Sequence, residues 1–258
     1  MLAPFGTGIA DMVDAARVAD AGGIDTVWTY DHFSGLVTGR GWSRDPWVAL
    51  AAIAAQTERV NVGVLVANVA NRHPAQLACA VNSLQSLAPG RVLLGLGAGA
   101  AAGTAWSTES VAIGRSVAPP GERRAHLVES IAALRAIWRN EAFQGDRLTV
   151  AADAAVTDGS PAPPIIVGAS SAPTLGVACE HADGANVLPG ADLADRVSMV
   201  RTRRPAGFDV GVFSRLDTNH RLGGDPEPLA ELGVDRRTLW VTAPYPRDAI
   251  ARIADALQ

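Results

Sequence analysis

Asp25-Thr-Val-Trp-Thr-Tyr-Asp-His-Phe33 is a short apolar strand that runs directly into an acid and an imidazole. Thr26 to Tyr30 include the β-branched and aromatic residues that a buried strand prefers, and Asp31 and His32 place two titratable groups where that strand ends. In parallel α/β folds the side chains at the carboxyl ends of strands line the functional site, whereas polar groups at mid-strand would face a dry core. The stretch therefore predicts a parallel sheet with His32 at its functional edge.

Working outward, the same strand–helix alternation recurs. A helix from Ile9 to Ala21 keeps Ile9, Met12, Val13 and Ala16 on one face and ends at Gly22-Gly23, where glycine can take the left-handed conformation. Asp45-Pro46 reads as N-cap and first turn of a helix Trp47 to Gln56, which is apolar on every side and so predicts burial between the core and a second subunit. Val60 to Val66 is a continuous apolar strand, Asn68 to Arg72 a loop, and His73-Pro74 opens a helix to Leu87. Val92 to Leu96 is the next strand, ending in Gly95-Leu-Gly-Ala-Gly99. Ala100 to Gly121 is small, polar and Pro-containing, a loop long enough to suggest a lid.

Further along, Glu122 to Asn140 reads as a helix and Phe143 to Val150 as a small hairpin insertion. Strands follow at Ile165 to Val167, Ala185 to Val187, Phe208 to Phe213 and Leu239 to Val241, with helices at Pro173 to His181, Leu193 to Arg203 and Arg247 to Leu257. Only a short turn of helix fits between Asn219 and Arg237. No Pro/Gly/Ser linker divides these units, so residues 1–258 read as one α/β domain. Counting Ala3 to Phe5 as a clipped first strand gives eight strands, a minimal (β/α)8 TIM barrel with a short first strand and a reduced seventh helix; an open doubly wound sheet is the alternative.

The totals restrict the function. A formal charge of -4 with scattered arginines and no lysine lacks the basic footprint of a nucleic-acid or anionic-membrane partner. The first residues lack a basic leader pattern and nothing reaches about 18 uninterrupted apolar residues, so a cytoplasmic protein is expected. Cys79 and Cys179 fall in apolar helical patterns and read as packed thiols.

Asp31-His32 is either a base beside its carboxylate or a cap with a satisfied histidine; an imidazole near its usual pKa of about 6.5 exchanges protons at neutrality. Gly95-x-Gly97 superficially matches a dinucleotide fingerprint, but no helix follows at once, and a glycine-lined floor under a flat ring suits the sequence better. Gly168-Ala-Ser-Ser171 lies between a strand and a helix, where hydroxyls and free N–H groups suit a phosphate, or a plain serine cap. His73, His126, His181 and His220 read as capping or solvated residues without zinc spacing.

Taken in order, Ala19-Asp-Ala-Gly-Gly-Ile-Asp-Thr-Val-Trp-Thr-Tyr-Asp-His-Phe33, Asp45-Pro-Trp, Asn68-Val-Ala-Asn-Arg-His-Pro74, Gly90-Arg-Val-Leu-Leu-Gly-Leu-Gly-Ala-Gly99, Pro120-Gly-Glu-Arg, Ile165-Ile-Val-Gly-Ala-Ser and Ala182-Asp-Gly-Ala-Asn resemble the luciferase-like monooxygenase superfamily. The resemblance implies a (β/α)8 barrel, commonly dimeric, that binds FMN or the deazaflavin F420 at its carboxyl end. The Asp-His-Phe and Asn-x-x-x-Arg-His-Pro wording is similar to the F420-dependent branch.

By that resemblance His32 lies beside the deazaflavin's reactive carbon and Asp31 close to it. The backbone of Leu65, Val66, Ala67 and Asn68, where relatives often carry a bulge with a cis non-prolyl peptide, supports the ring. Gly97 and Ala98 contact ring or side chain, and Gly168, Ala169, Ser170 and Ser171 hold the phosphate. Ala100-Ala-Ala-Gly-Thr104 departs from relatives that place an acid or polar pair there, so no proton donor is visible, and the arginine common after the phosphate loop is absent. The expectation is an F420-dependent oxidoreductase acting on a small organic substrate; an FMN-dependent monooxygenase and a non-catalytic cofactor-binding protein are the alternatives.

Overall fold

The computed structural model describes residues 1–215 and 229–255. Elements alternate as α1 (Ile9–Ala21), β1 (Thr26–Thr29), α2 (Pro46–Ala54), β2 (Asn61–Asn68), α3 (Pro74–Leu87), β3 (Val92–Gly97), α4 (Thr108–Ala112) and α5 (Pro120–Trp138). They continue as β4 (Phe143–Gln144), β5 (Thr149–Val150), β6 (Ile165–Ala169), α6 (Ala172–His181), β7 (Gly184–Val187), α7 (Leu193–Arg203), β8 (Asp209–Arg215), α8 (Leu229–Leu232), β9 (Arg236–Trp240) and α9 (Arg247–Asp255). Seven strands form one parallel sheet of half-barrel, TIM-barrel-like form in the order β1-β2-β3-β6-β7-β8-β9, and β4 pairs only with β5 as an antiparallel hairpin. Among the described residues no helix is long and apolar enough to cross a membrane.

The caps read from the sequence operate as expected. The Asp45 carboxylate accepts from the N–H groups of Trp47 (2.9 Å) and Val48 (3.1 Å), and His73 Nδ1 accepts from Ala75 N–H at 3.2 Å. Two boundaries differ. The first strand, expected at Ala3 to Phe5, pairs instead around Leu2: Leu2 N–H donates to Trp28 of β1 (2.8 Å), and Ala3 N–H to Val241, just beyond β9 (3.1 Å). Pro4 has no N–H to extend that ladder, and Phe5 turns away to bridge Ser43. The strand placed at Leu239 to Val241 is β9 at Arg236–Trp240, its polar start hidden by the arginines. The expected turn between Asn219 and Arg237 falls partly on residues 216–228, outside the described residues, as does His220.

The largest departure is Ala100 to Gly121. It is not an open loop: a 3-10 turn, Ala105–Ser107, runs straight into α4. The Ser107 and Thr108 hydroxyls bond back to the carbonyls of Thr104 (2.8 Å) and Ala105 (2.6 Å), so local side-chain bonds build the turn without an apolar pattern.

The sheet faces two separate cores. Val62, Val64, Ala67, Leu94 and Val167 belong to the core that also takes Leu50, Ile53, Leu77 and Leu127 from the helices. On the other face Met1, Trp28, Leu65 and Ile166 cluster with Tyr30, Val66, Phe213 and Trp240. The register explains one oddity, that Leu65 and Val66 are consecutive yet share the inner cluster. Val64 pairs with Leu94 and Ala67 with Leu96, so β2 spends three steps where β3 spends two. One extra residue reverses the inward–outward alternation, and the Leu65–Val66 peptide within this bulge is cis.

Val66 fills space that two glycines leave open. A Cβ on Gly168 would lie 2.6 Å from Val66 Cγ1, and one on Gly97 would lie 2.5 Å from Val66 Cγ2. A β-branched side chain has little rotamer freedom with which to retreat. Gly168→Ala is therefore expected to destabilise by about 1–3 kcal/mol, read as a lower urea midpoint. In a Val66→Ala background the same change should cost much less, and equal costs in both backgrounds would contradict this packing.

Candidate functional site

At the end of β1, Asp31 and His32 serve different partners. Asp31 is buried, and its Oδ1 accepts from Arg72 Nε (3.2 Å) and Nη2 (3.1 Å) while Oδ2 accepts from the Asn68 N–H (3.3 Å). Arg72 Nη2 also reaches Asp45 Oδ2 at 3.1 Å, so one guanidinium joins the ends of β1 and β2 to the cap of α2. Burial pushes the Asp31 carboxyl above its usual range, against the pull of Arg72 and the Asn68 amide. Burial works to lower Arg72, but Asp31 and Asp45 outweigh it and raise it. The two shifts differ on whether pairing or desolvation wins. The N–H groups converging on Asp31 suit an acceptor-only carboxylate, so we read the pair as ionised, with the upward shift recording the cost of burial.

His32 Nδ1 lies 2.8 Å from Glu109 Oε1, and Glu109 Oε2 accepts the Phe33 N–H at 3.2 Å. Glu109 comes from α4 and is 2 % exposed. An ionised carboxylate only accepts, so the contact requires the proton on Nδ1 and leaves the Nε2 lone pair facing outward from the pair. Aromatic rings enclose the imidazole, with centroids 5.3 Å away at Trp106, 5.7 Å at Phe5 and 6.0 Å at Tyr30.

Sequence reasoning missed Glu109 because it sits 77 residues from His32 in a stretch without helical periodicity. A usable signal existed: it is the only acid between Ala100 and Gly121, and Ser107-Thr108 before it begins a helix. The acid absent from Ala100 to Thr104 is thus present a few residues later, as Glu109 against His32.

The remaining candidates divide by what is accessible. Leu65 and Ala67 are buried, one in each core, and present almost no surface of their own. Asn68 Oδ1 accepts from Ala70 N–H at 3.0 Å. Gly97 lies under Val66, while Asn68, Ala98, Gly99, Ala100 and Ser107 line a cavity of about 130 Å³. Arg123 holds this ledge through the carbonyls of Gly99 and Ala118.

Gly168 and Ala169 end β6, and Ser170 is exposed. Ser171 starts α6 without bonding a backbone N–H; its hydroxyl pairs with Thr174 Oγ1 at 3.0 Å. An arginine does reach this loop from α7: the largely buried Arg196 donates to the Ser170 carbonyl (3.2 Å) and pairs with Asp192 (2.9 Å).

Cys179 is buried but Cys79, expected to be packed, is exposed, because its helix presents that position outward. Burial lowers the pKa of His126, and His181 sits beside Glu180 at the surface. Among the described residues no group of three His, Cys, Asp or Glu is placed to hold a metal.

The sequence profile of the luciferase-like monooxygenase family matches residues 3–216. The chain is 31% identical over 228 residues to an F420-dependent hydroxymycolic acid dehydrogenase of Mycobacterium tuberculosis, covering 87% of this chain and 60% of that protein. It is 33% identical over 177 residues to an F420-dependent glucose-6-phosphate dehydrogenase of Kineococcus radiotolerans, covering 67% of this chain and 50% of that one. The chain thus spans between half and 60% of the length of these relatives. An F420-dependent secondary alcohol dehydrogenase, solved with an F420-acetone adduct, shares the fold with a TM-score of 0.70 at 19% identity, over 85% of this chain and 71% of that one.

The Asp31–Arg72 pair makes a pH-dependent prediction. Arg72→Met leaves a buried carboxylate with one amide donor, a loss of about 2–3 kcal/mol at pH 7 once Arg72's partial exposure is allowed for. Asp31 is already shifted up and moves further up in the variant. A raised acid contributes full stability below its unfolded pKa and loses it as pH rises through the folded one. The variant's deficit, measured by urea unfolding, should therefore shrink between pH 7 and pH 4.5; a constant deficit would mean that Asp31 is not the group left unpaired.

Proposed function

The chain belongs to the luciferase-like monooxygenase family, and from that membership we propose that it is an F420-dependent oxidoreductase built as one (β/α)8 barrel over residues 1–258. Barrel closure is supported by Leu2 and Ala3, which bond to β1 on one side and to Val241 after β9 on the other. The four-residue α8 suits a reduced seventh helix.

The observation that carries the activity is the His32–Glu109 contact, a general base whose second nitrogen is held by a buried carboxylate. The residues also fit the cofactor. The kinked Leu65 to Asn68 backbone ends at Asn68, which lines a cavity with the small Ala98 and Gly99 and bonds Asp31, the neighbour of His32. The Gly168 to Ser171 turn offers a helix N-terminus whose serine makes no cap of its own, with Arg196 behind it. F420, when bound, supplies a two-electron hydride acceptor or donor at the deazaflavin ring.

In this reading the protein's part is proton handling and placement. His32 Nε2 takes the hydroxyl proton of an alcohol, or returns it to a carbonyl oxygen, and Glu109 stabilises the imidazolium in between. Val66, Ala67 and Asn68 present the ledge, Gly97 and Gly168 make room for it, and Asp31 acts by fixing the end of β2. Ala98 borders the ring, and Ala169, Ser170 and Ser171 the phosphate.

We also propose a homodimer through α2, whose outward Val48 is 59 % exposed on an otherwise apolar helix. A mass of one chain by light scattering, unchanged by Val48→Asp, would remove that proposal.

The activity is tested by titrating F420 and FMN separately, followed by cofactor fluorescence. Selective F420 binding is expected. In the loaded protein His32→Ala should lower kcat by about 100-fold or more and Glu109→Gln by about 10-fold or more, with the F420 Kd nearly unchanged. Preference for FMN would move the protein to the monooxygenase reading, and binding of neither would exclude both.

A further inference from the structure

β1 and the end of β9 are joined through Leu2 and Ala3, but towards their amino ends, away from His32, the two strands part around a cavity of about 120 Å³. Val27 and Val241 face the helix layer, and with Ala15 and Ala19 of α1 and Ile250 of α9 they give the cavity an apolar wall. Its other end lies on the inner face of the sheet. Trp28 belongs to the inner cluster, and Arg236 and Thr238 share that face because alternate residues of β9 lead to Trp240.

This inner end holds polar groups that the protein leaves unanswered. Arg236 Nη1 pairs with Asp209 Oδ2 at 2.8 Å, but its Nε and Nη2 are buried without a partner among the described residues. The Thr238 hydroxyl and the Trp28 indole N–H are likewise buried and unpaired, on residues 3 % and 1 % exposed. The Asn186 amide, which approaches Arg236 over Gly211, bonds to neither nitrogen. Arg236 Cζ lies 5.1 Å from the centroid of the Trp28 ring, a contact that holds the guanidinium in place. Burial lowers the Arg236 pKa even with Asp209, Asp235 and Asp25 pulling it up, so its charge is under-compensated.

Donors buried without acceptors cost stability, and a ligand that supplies the acceptors recovers it. The Nε–Nη2 edge of a guanidinium presents two parallel N–H groups spaced for the two oxygens of a carboxylate. An inorganic anion would answer the charge and leave the apolar wall bare; a plain hydrocarbon would do the reverse. A dry cavity of about 150 Å³ admits benzene, so about 120 Å³ admits a carboxylate with a chain of about three or four carbons behind it. The other charged residues lining the cavity, the exposed Asp25 and Arg237, are opposite in sign and leave Arg236 to set the preference.

We propose that this cavity is a binding site for a short aliphatic monocarboxylate, with the carboxylate on the Nε–Nη2 edge of Arg236 and the hydrocarbon chain between β1, β9, α1 and α9. The Thr238 hydroxyl and the Trp28 N–H are the further donors available to it. Selectivity then follows from two features together, a single negative charge and a chain length limited by the volume of the cavity.

The test uses the full chain in calorimetric titrations of the straight-chain acids from acetate to octanoate at constant ionic strength, with butyramide as the uncharged match to butyrate. Affinity is expected to peak at about four or five carbons, and butyramide to bind about tenfold more weakly than butyrate or worse. Ala19→Leu, which fills the apolar part of the cavity, should abolish butyrate binding, and Arg236→Met should weaken it about tenfold or more, with circular dichroism to show that each variant is folded. The chain-length series and the amide comparison are made on the unaltered protein, so they decide the matter even where a variant fails to fold. Equal affinity for butyrate and butyramide, affinity that rises steadily to octanoate, butyrate binding unchanged in either folded variant, or no binding of any of these acids would each overturn the proposal.

Discussion

One extra residue in β2 sets the geometry at the strand ends. With Leu65 and Val66 both inward, the alternation reverses before the strand finishes, and Asn68 arrives with its N–H on Asp31. A valine in that position requires empty space on both neighbouring strands, which is the role of Gly97 and Gly168. Their lack of a side chain is therefore a packing requirement first. Any floor they offer a ligand is made by Val66 lying over them, not by the glycines themselves. The Asp31 carboxylate, buried at the reversed strand's end, would be costly alone; Arg72 makes it tolerable and in the same contact ties α2 to the site through Asp45.

Two adjacent residues thus carry separate burdens. Asp31 is paired with a cation and holds backbone, whereas His32 is paired with an acid through Nδ1, which leaves Nε2 outside that contact. Had both addressed the same partner, the acid would have competed with Glu109 for the imidazole. The separation is enforced by geometry: Glu109 spends its second oxygen on the Phe33 N–H, which locks it on the His32 side.

Much of this was legible before any coordinates. Strand order, the caps at Asp45 and His73, the position of His32 at a strand end and the site of the bulge follow from periodicity, capping chemistry and family wording. What escaped has a common physical character. Glu109 and Arg196 reach the site from helices far along the chain, and neither belongs to an apolar period. The 3-10 turn and α4 are stabilised by hydroxyl-to-carbonyl bonds that look like loop composition in the sequence. The first strand moved because Pro4 cannot donate, a constraint that outweighs the apolar character of Ala3 and Phe5.

The sheet edge at His32 consequently has two unlike sides. Towards β2 and β3 it is lined by Asn68 and small residues such as Ala98, Gly99, Ala100 and Ser107, with Glu122, Arg123, His126 and Arg147 beyond them; towards β1 and β9 it is lined by Phe5, Trp106 and Trp240. The aromatic side is assembled from the chain's start, the α4 connection and β9, and nothing local holds these three together. The holding is done by the Met1 to Ala3 backbone, bonded to β1 and to the residue after β9, and by Tyr245, whose hydroxyl donates to the Ala3 carbonyl at 2.7 Å. Phe5 follows immediately and is almost fully buried. The bonds that join the last strand to the first are therefore the same bonds that place a wall against His32. Loosening the amino-terminal segment would disturb the imidazole's surroundings together with both cores, since Met1 and Leu2 belong to one each.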